Sequence, residues 1–146
     1  MKLKTKKEKY KVEDIKGSYK FTHLKFNFSF LTSNSKYNFD NKKIDKNVQA
    51  DILKRICELS GYTIIQLGSL GKERGYESLL ENSISISARC NNDFFKNQDR
   101  ANAANNKYMI FRLYPNNNPL PARIIGKFIN GVYYIFFIEL EHKCYK

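Results

Sequence analysis

Two runs of β-branched and aromatic residues, ARIIGKFI at 122–129 and VYYIFFIEL at 132–140, are separated by the dipeptide Asn130-Gly131. A two-residue loop of type I′ needs positive φ at both central positions, which asparagine tolerates and glycine adopts freely. The spacing therefore predicts an antiparallel hairpin. KYMIFRLY at 107–114 precedes it across the turn residues PNNNPLP, so a third strand completes a meander. Such a sheet must bury at least one face, and the residues before it have to supply the cover.

In KFTHLKFNFSFL, Leu24, Phe26, Phe28 and Phe30 alternate with His23, Lys25, Asn27 and Ser29, the pattern of a strand with one buried and one wet face. KNVQADILKRICELSGYT carries Val48, Ile52, Ile56 and Leu59 at helical spacing, with Leu53 widening the stripe, Asp45 or Asn47 available as the cap and Gly61 as the stop. A shorter helix follows from Thr63 to about Leu70, where Ile64, Ile65, Leu67 and Leu70 need burial, and the two helices form a hairpin. GKERGYESLLENS fits neither period well. SISISA at 83–88 alternates as a short strand, and CNNDFFKNQDRANAANN is a polar insertion anchored by Phe94 and Phe95. The expected architecture is α+β, with a helical hairpin on one face of a mainly antiparallel sheet that ends in the three-stranded meander.

With 146 residues, 42% of them hydrophobic, the chain has material for one core. Residues 1–18 are charged and aperiodic, which predicts a flexible basic arm before a single domain at 19–146. The formal charge of +12 favours a polyanionic partner such as RNA, DNA or an acidic protein surface. The competing reading is a basic surface that serves solubility alone. Part of the excess sits in residues 1–20, which hold eight lysines against three carboxylates. Cys57, Cys90 and Cys144 lack the paired spacing of a zinc site or disulfide framework, and no window is apolar enough for a membrane span. The expected setting is cytoplasmic, with no membrane partner.

The order of elements and the pattern R-I-I-G-x-F, turn, V-Y-Y-I-x-F, acidic residue, H-x-x-Y at the end of the chain together resemble the RelE/ParE toxin superfamily, in particular its RelE-like ribonuclease branch. The resemblance covers residues 20–146. It implies a messenger-RNA endoribonuclease, in some members acting on the ribosome, neutralised by a protein antitoxin. It also implies site residues: Arg123 opening the penultimate strand, Arg112 on the strand before it, and His142 with Tyr145 as the C-terminal acid/base and stacking pair. The insertion at 90–106 and the lack of a dense lysine cluster in the helical region depart from that pattern.

Cleavage of RNA by its own 2′-hydroxyl needs a base for that hydroxyl, cations for the phosphorane and a proton for the departing 5′-oxygen. Histidine, with an ordinary pKa near ~6.5, carries protons both ways at neutral pH. His142 is thus the expected proton carrier, and Tyr145 stacks on a base or supplies a second proton. Arg112 and Arg123 bind phosphate, with Lys127, Lys143 and Lys25 extending the nucleic-acid contact. Against this stand plainer readings, in which His142 is an exposed terminal residue and Tyr145 a packing aromatic. Glu139 and Glu141 orient His142 or repel phosphate. No cofactor or metal is expected, since His142 and Cys144 have no distant ligand cluster and no phosphate-binding or metalloprotease fingerprint occurs. The alternative function is a non-catalytic basic protein that binds nucleic acid or a host protein, such as a phage-encoded inhibitor of host defence.

Overall fold

The structure, a computed structural model, describes residues 23–84 and 107–145. The expected basic arm, most of SISISA and the polar insertion lie outside the described residues.

The meander forms as its sequence requires. Strands β3 (Lys107–Arg112), β4 (Arg123–Ile129) and β5 (Val132–Glu139) pair antiparallel in succession. Asn130 and Gly131 take φ of 51° and 83°, the two left-handed positions that a type I′ turn demands. The β4–β5 register shifts between Ile125 and Gly126, a bulge at which the backbones close in. A Cβ on Gly126 would lie 2.0 Å from the carbonyl oxygen of Tyr134, so only glycine fits there.

Helix α1 (Lys46–Ser60) starts where Asp45 accepts a hydrogen bond from the Val48 amide and stops at Gly61. Its buried stripe is Val48, Ile52, Arg55 and Leu59. Leu53 is 62% exposed and does not widen that stripe, because it falls a quarter-turn outside it. Helix α2 (Ile64–Ser69) opens with a capping box between Thr63 and Gln66 and buries Leu67, while Ile65 and Leu70 stay exposed. A single turn, α3 (Gly71–Arg74), leads into β2 (Tyr76–Leu80), which pairs antiparallel with β3. The stretch without a clear period is therefore an edge strand.

Ahead of the helices, β1 is only Lys25–Asn27 and lies parallel to β5. The strand expected over the whole alternating stretch ends early, because Asn27 accepts the Ser29 amide and Phe28 the Leu31 amide, which turns the chain. Phe28 is left exposed, and Phe30 crosses to the opposite side of the sheet. The sheet is five-stranded and mixed, in the order β1-β5-β4-β3-β2.

Both faces carry apolar cover. One packs Phe111, Ile124, Tyr133, Ile135 and Ile138 against Val48, Ile52, Leu59 and Leu67 of the helices. The other is an aromatic layer of Phe30, Tyr108, Tyr134, Phe136 and Phe137, closed by Cys144 and Tyr145 from the end of the chain. Each fully buried aromatic contributes about 2–3 kcal/mol of transfer free energy, which favours a sheet covered on both sides. Among the described residues neither face of the sheet is left bare of apolar cover.

Candidate functional site

The meander register sets Arg112 opposite Arg123 and Arg123 opposite Glu139, so three charged side chains form a row across β3, β4 and β5. This row lies on the aromatic side, and Glu77 of β2 joins its edge. Beyond β5 the chain reverses. Glu139 Oε1 accepts the amides of Lys143 and Cys144, the latter at 2.7 Å, and His142 takes a left-handed φ of 54°. This hook brings His142 and Tyr145 back over the row.

Arg123 is the hub. It is 2% exposed; its Nε donates to the Tyr145 hydroxyl at 3.1 Å, and its Nη1 donates to Asn117 Oδ1 at 2.8 Å and to the carbonyls of Pro121 and Ala122. Tyr145 passes the connection on by donating to Glu77 Oε1 at 2.5 Å. Burial and the Glu77 hydrogen bond push the Tyr145 phenol well above its ordinary pKa, so it stays protonated. A guanidinium, a phenol and a carboxylate from β4, the C-terminal hook and β2 thus form one chain of hydrogen bonds.

His142 meets Tyr145 edge-on, with ring centroids 4.7 Å apart. Burial lowers its pKa, Arg123 and more weakly Arg112 lower it further, and Glu139 and Glu77 pull the other way. The net result is an imidazole held neutral beside two arginines. Its Nε2 is shielded and has no hydrogen-bond partner among the described residues, and the same holds for Arg112 Nε and Glu139 Oε2. Arg112 Nη1 donates to the Pro115 carbonyl, and its own carbonyl accepts from Arg55 Nε at 2.8 Å, which anchors the end of β3 to α1.

The structure therefore brings together Arg112, Arg123, His142 and Tyr145. The lysines behave differently. Lys127 lies farther along β4, buried in the aromatic layer with its ammonium paired to Glu81 and 5.0 Å from the centre of the Tyr108 ring. It does not extend a surface. Lys143 is exposed and bonds Glu141 at 3.0 Å, and Lys25 is exposed on β1. His23 is exposed as well, its Nδ1 3.0 Å from the Ser60 carbonyl. Glu77, Asn117 and Arg55 were not legible as partners in the sequence. An acidic residue in phase with Leu79, the inward position of the edge strand YESLL, was the one available sign for Glu77.

Among the described residues, no three His, Cys, Asp or Glu side chains cluster closely enough to hold a metal ion, and no helix is long and apolar enough to cross a membrane. Cys144 is buried with its thiol pushed up to about 12, chiefly by desolvation, and is not a nucleophile at neutral pH. No family model, curated protein or solved structure matches this chain.

Proposed function

We propose that the chain is a RelE-like endoribonuclease that cleaves messenger RNA by acid–base chemistry. The observation that carries this reading is the neutral His142 imidazole, whose Nε2 has no hydrogen-bond partner among the described residues, gathered with Arg112 and Arg123. His142 Nε2 removes the 2′-hydroxyl proton, the new oxygen–phosphorus bond forms a 2′,3′-cyclic phosphate, and the bond to the 5′-oxygen breaks. Arg112 Nε, whose donor is uncommitted among the described residues, stabilises the charge on the phosphorane. The leaving oxygen takes its proton from water at the exposed rim. Arg123 and Tyr145 act as positioning residues, since their polar atoms are already bonded to one another and to Glu77 and Asn117. Because Nε2 is shielded in the free chain, RNA binding includes a shift of His142 with its exposed neighbours Glu141 and Lys143.

One observation favours a second reading. Arg123 is buried and largely saturated, as in a cluster that only fastens the C-terminal hook, and this fits a non-catalytic basic binding protein. The two readings separate on His142→Ala. Cells induced for the wild type and the variant at matched levels are compared for growth and message integrity. Arrest with cleaved messages that disappears in the variant supports the ribonuclease. Intact growth and intact RNA in both would sink it in favour of the binding protein.

A further inference from the structure

The loop between β1 and α1 is larger than a connection needs and is held rigidly. Thr32 N donates to the Phe136 carbonyl, Ile138 N donates to the Tyr37 carbonyl, and the buried Asn38 bonds the Thr32 carbonyl. Asn34, Asn38 and Asn41 each accept the amide two residues on. The loop is thus fastened along β5 and turned by side-chain hydrogen bonds.

A loop this well tied nevertheless leaves two large apolar rings in water. Phe28 and Phe39 are each 40% exposed and touch only at 6.0 Å between centroids, tilted at 47°. The same loop forms one wall of a cleft of about 590 Å³, within the ~300–1,000 Å³ of typical ligand sites. Its opposite wall is the start of the C-terminal hook, residues 139–143. Lys36, Lys42, Lys43 and Lys143 line it, together with Asp40, Glu139 and Glu141. Glu141 bridges Lys43 and Lys143 at 2.5 and 3.0 Å, and those two lysines hold its carboxyl down to about 2. Lys36 and Lys42 form no ion pair with a carboxylate among the described residues.

We infer that the Phe28/Phe39 pair and the lysine cleft form a binding track for single-stranded RNA, with bases stacking on the rings and phosphates running along the lysines toward His142. The inference rests on the ribonuclease reading for its end point, because the cleft shares Glu139 with the charged row. Phe39 immediately precedes Asp40, which lines the cleft, and the cleft carries four lysines against three carboxylates. Exposed aromatics together with cations are the recurring means of holding single strands without sequence preference, whereas an acidic protein partner would use the cations and gain little from the rings. Glu141 is then a competitor that phosphate displaces from Lys43 and Lys143.

The test is binding of a fluorescent single-stranded 12-nucleotide RNA in the His142→Ala background, with polyglutamate as a second probe. Phe39→Ala and Phe28→Ala should each weaken RNA binding roughly 5- to 100-fold. Lys36→Gln with Lys42→Gln should lower the slope of log affinity against log salt by about 1.4. Glu141→Gln should tighten binding. Unchanged RNA affinity in both phenylalanine variants would overturn the track, as would equal losses toward polyglutamate or no RNA binding at all. Cleavage is scored separately, in otherwise wild-type protein. A track that binds RNA in a protein with no His142-dependent turnover would end the ribonuclease reading and leave the track standing, while turnover indifferent to the loop would do the reverse.

Discussion

The hydroxyl of Tyr145 donates to Glu77 at 2.5 Å across 68 positions of sequence, and so ties the last described residue to the edge strand β2. The same oxygen accepts from Arg123, so one phenol serves the buried Arg123 and the half-buried Glu77. Tyr145→Phe removes the hydroxyl and keeps the ring against His142, leaving Arg123 Nε and Glu77 unsatisfied. The expected cost is about 2–3 kcal/mol in urea unfolding. Glu77→Gln retains an acceptor and should cost less. A Tyr145→Phe protein within ~0.5 kcal/mol of wild type would mean that the chain of hydrogen bonds contributes nothing net.

The lowered pKa of His142 sets a pH dependence with a definite sign. Above the unfolded value near ~6.5 the ring is neutral in both states. As pH falls through that value toward the lower folded one, the unfolded chain binds the proton first and stability is lost. His142→Gln should abolish that part of the slope. In a His23→Gln protein the one remaining imidazole should titrate below ~6.5 by NMR, and a midpoint at or above that value contradicts the environment described. The acid limb of any ribonuclease activity should follow the same group.

Lys127 is a buried ammonium that desolvation pushes down to about 8, and it is paired with the Glu81 carboxylate. A depressed lysine makes the fold more stable as pH rises from about 8 toward the unfolded value of 10.5, because the unfolded chain holds the proton longer. Lys127→Met should remove that rise. It should also leave stability at pH 7 unchanged or improve it by about 1 kcal/mol, since methionine fills the same space and Glu81 is half-exposed and can hydrate. A loss of more than about 1 kcal/mol would show the ion pair to be net stabilising.

Gly126 marks the closest approach of β4 to β5. An added Cβ would sit 2.0 Å from the Tyr134 carbonyl oxygen and 2.9 Å from its carbon, both backbone atoms that move only if the hairpin opens. Gly126→Ala should cost about 3 kcal/mol or more. A variant as stable as the wild type by chemical denaturation would place the bulge elsewhere.

The elements that local chemistry decides were legible in the sequence: the Asn130-Gly131 turn, the meander, a cap for α1 at Asp45 or Asn47 with its stop at Gly61, and the Thr63 start of α2. Each depends on backbone φ, on a side chain reaching its own neighbours, or on a period within one segment. The errors have one cause. Phe28 and Phe30 share a sequence phase, yet an asparagine turn sends one to solvent and the other to the aromatic layer. Leu53 had the hydrophobicity for the α1 stripe, while Arg55 had the position and found carbonyl partners on Arg112 and Arg74.

The site divides the same way. By itself the sequence determined that cations, a histidine and a tyrosine stand near the end of a hairpin, because strand period and turn type are local properties. Only the tertiary structure decided that Arg112, Arg123 and Glu139 share one row, that the hook lays His142 and Tyr145 over it, that Glu77 joins from β2, and that Lys127 is buried. Those outcomes follow from register between strands and from a second apolar layer, whose burial energy is gained only when distant segments meet.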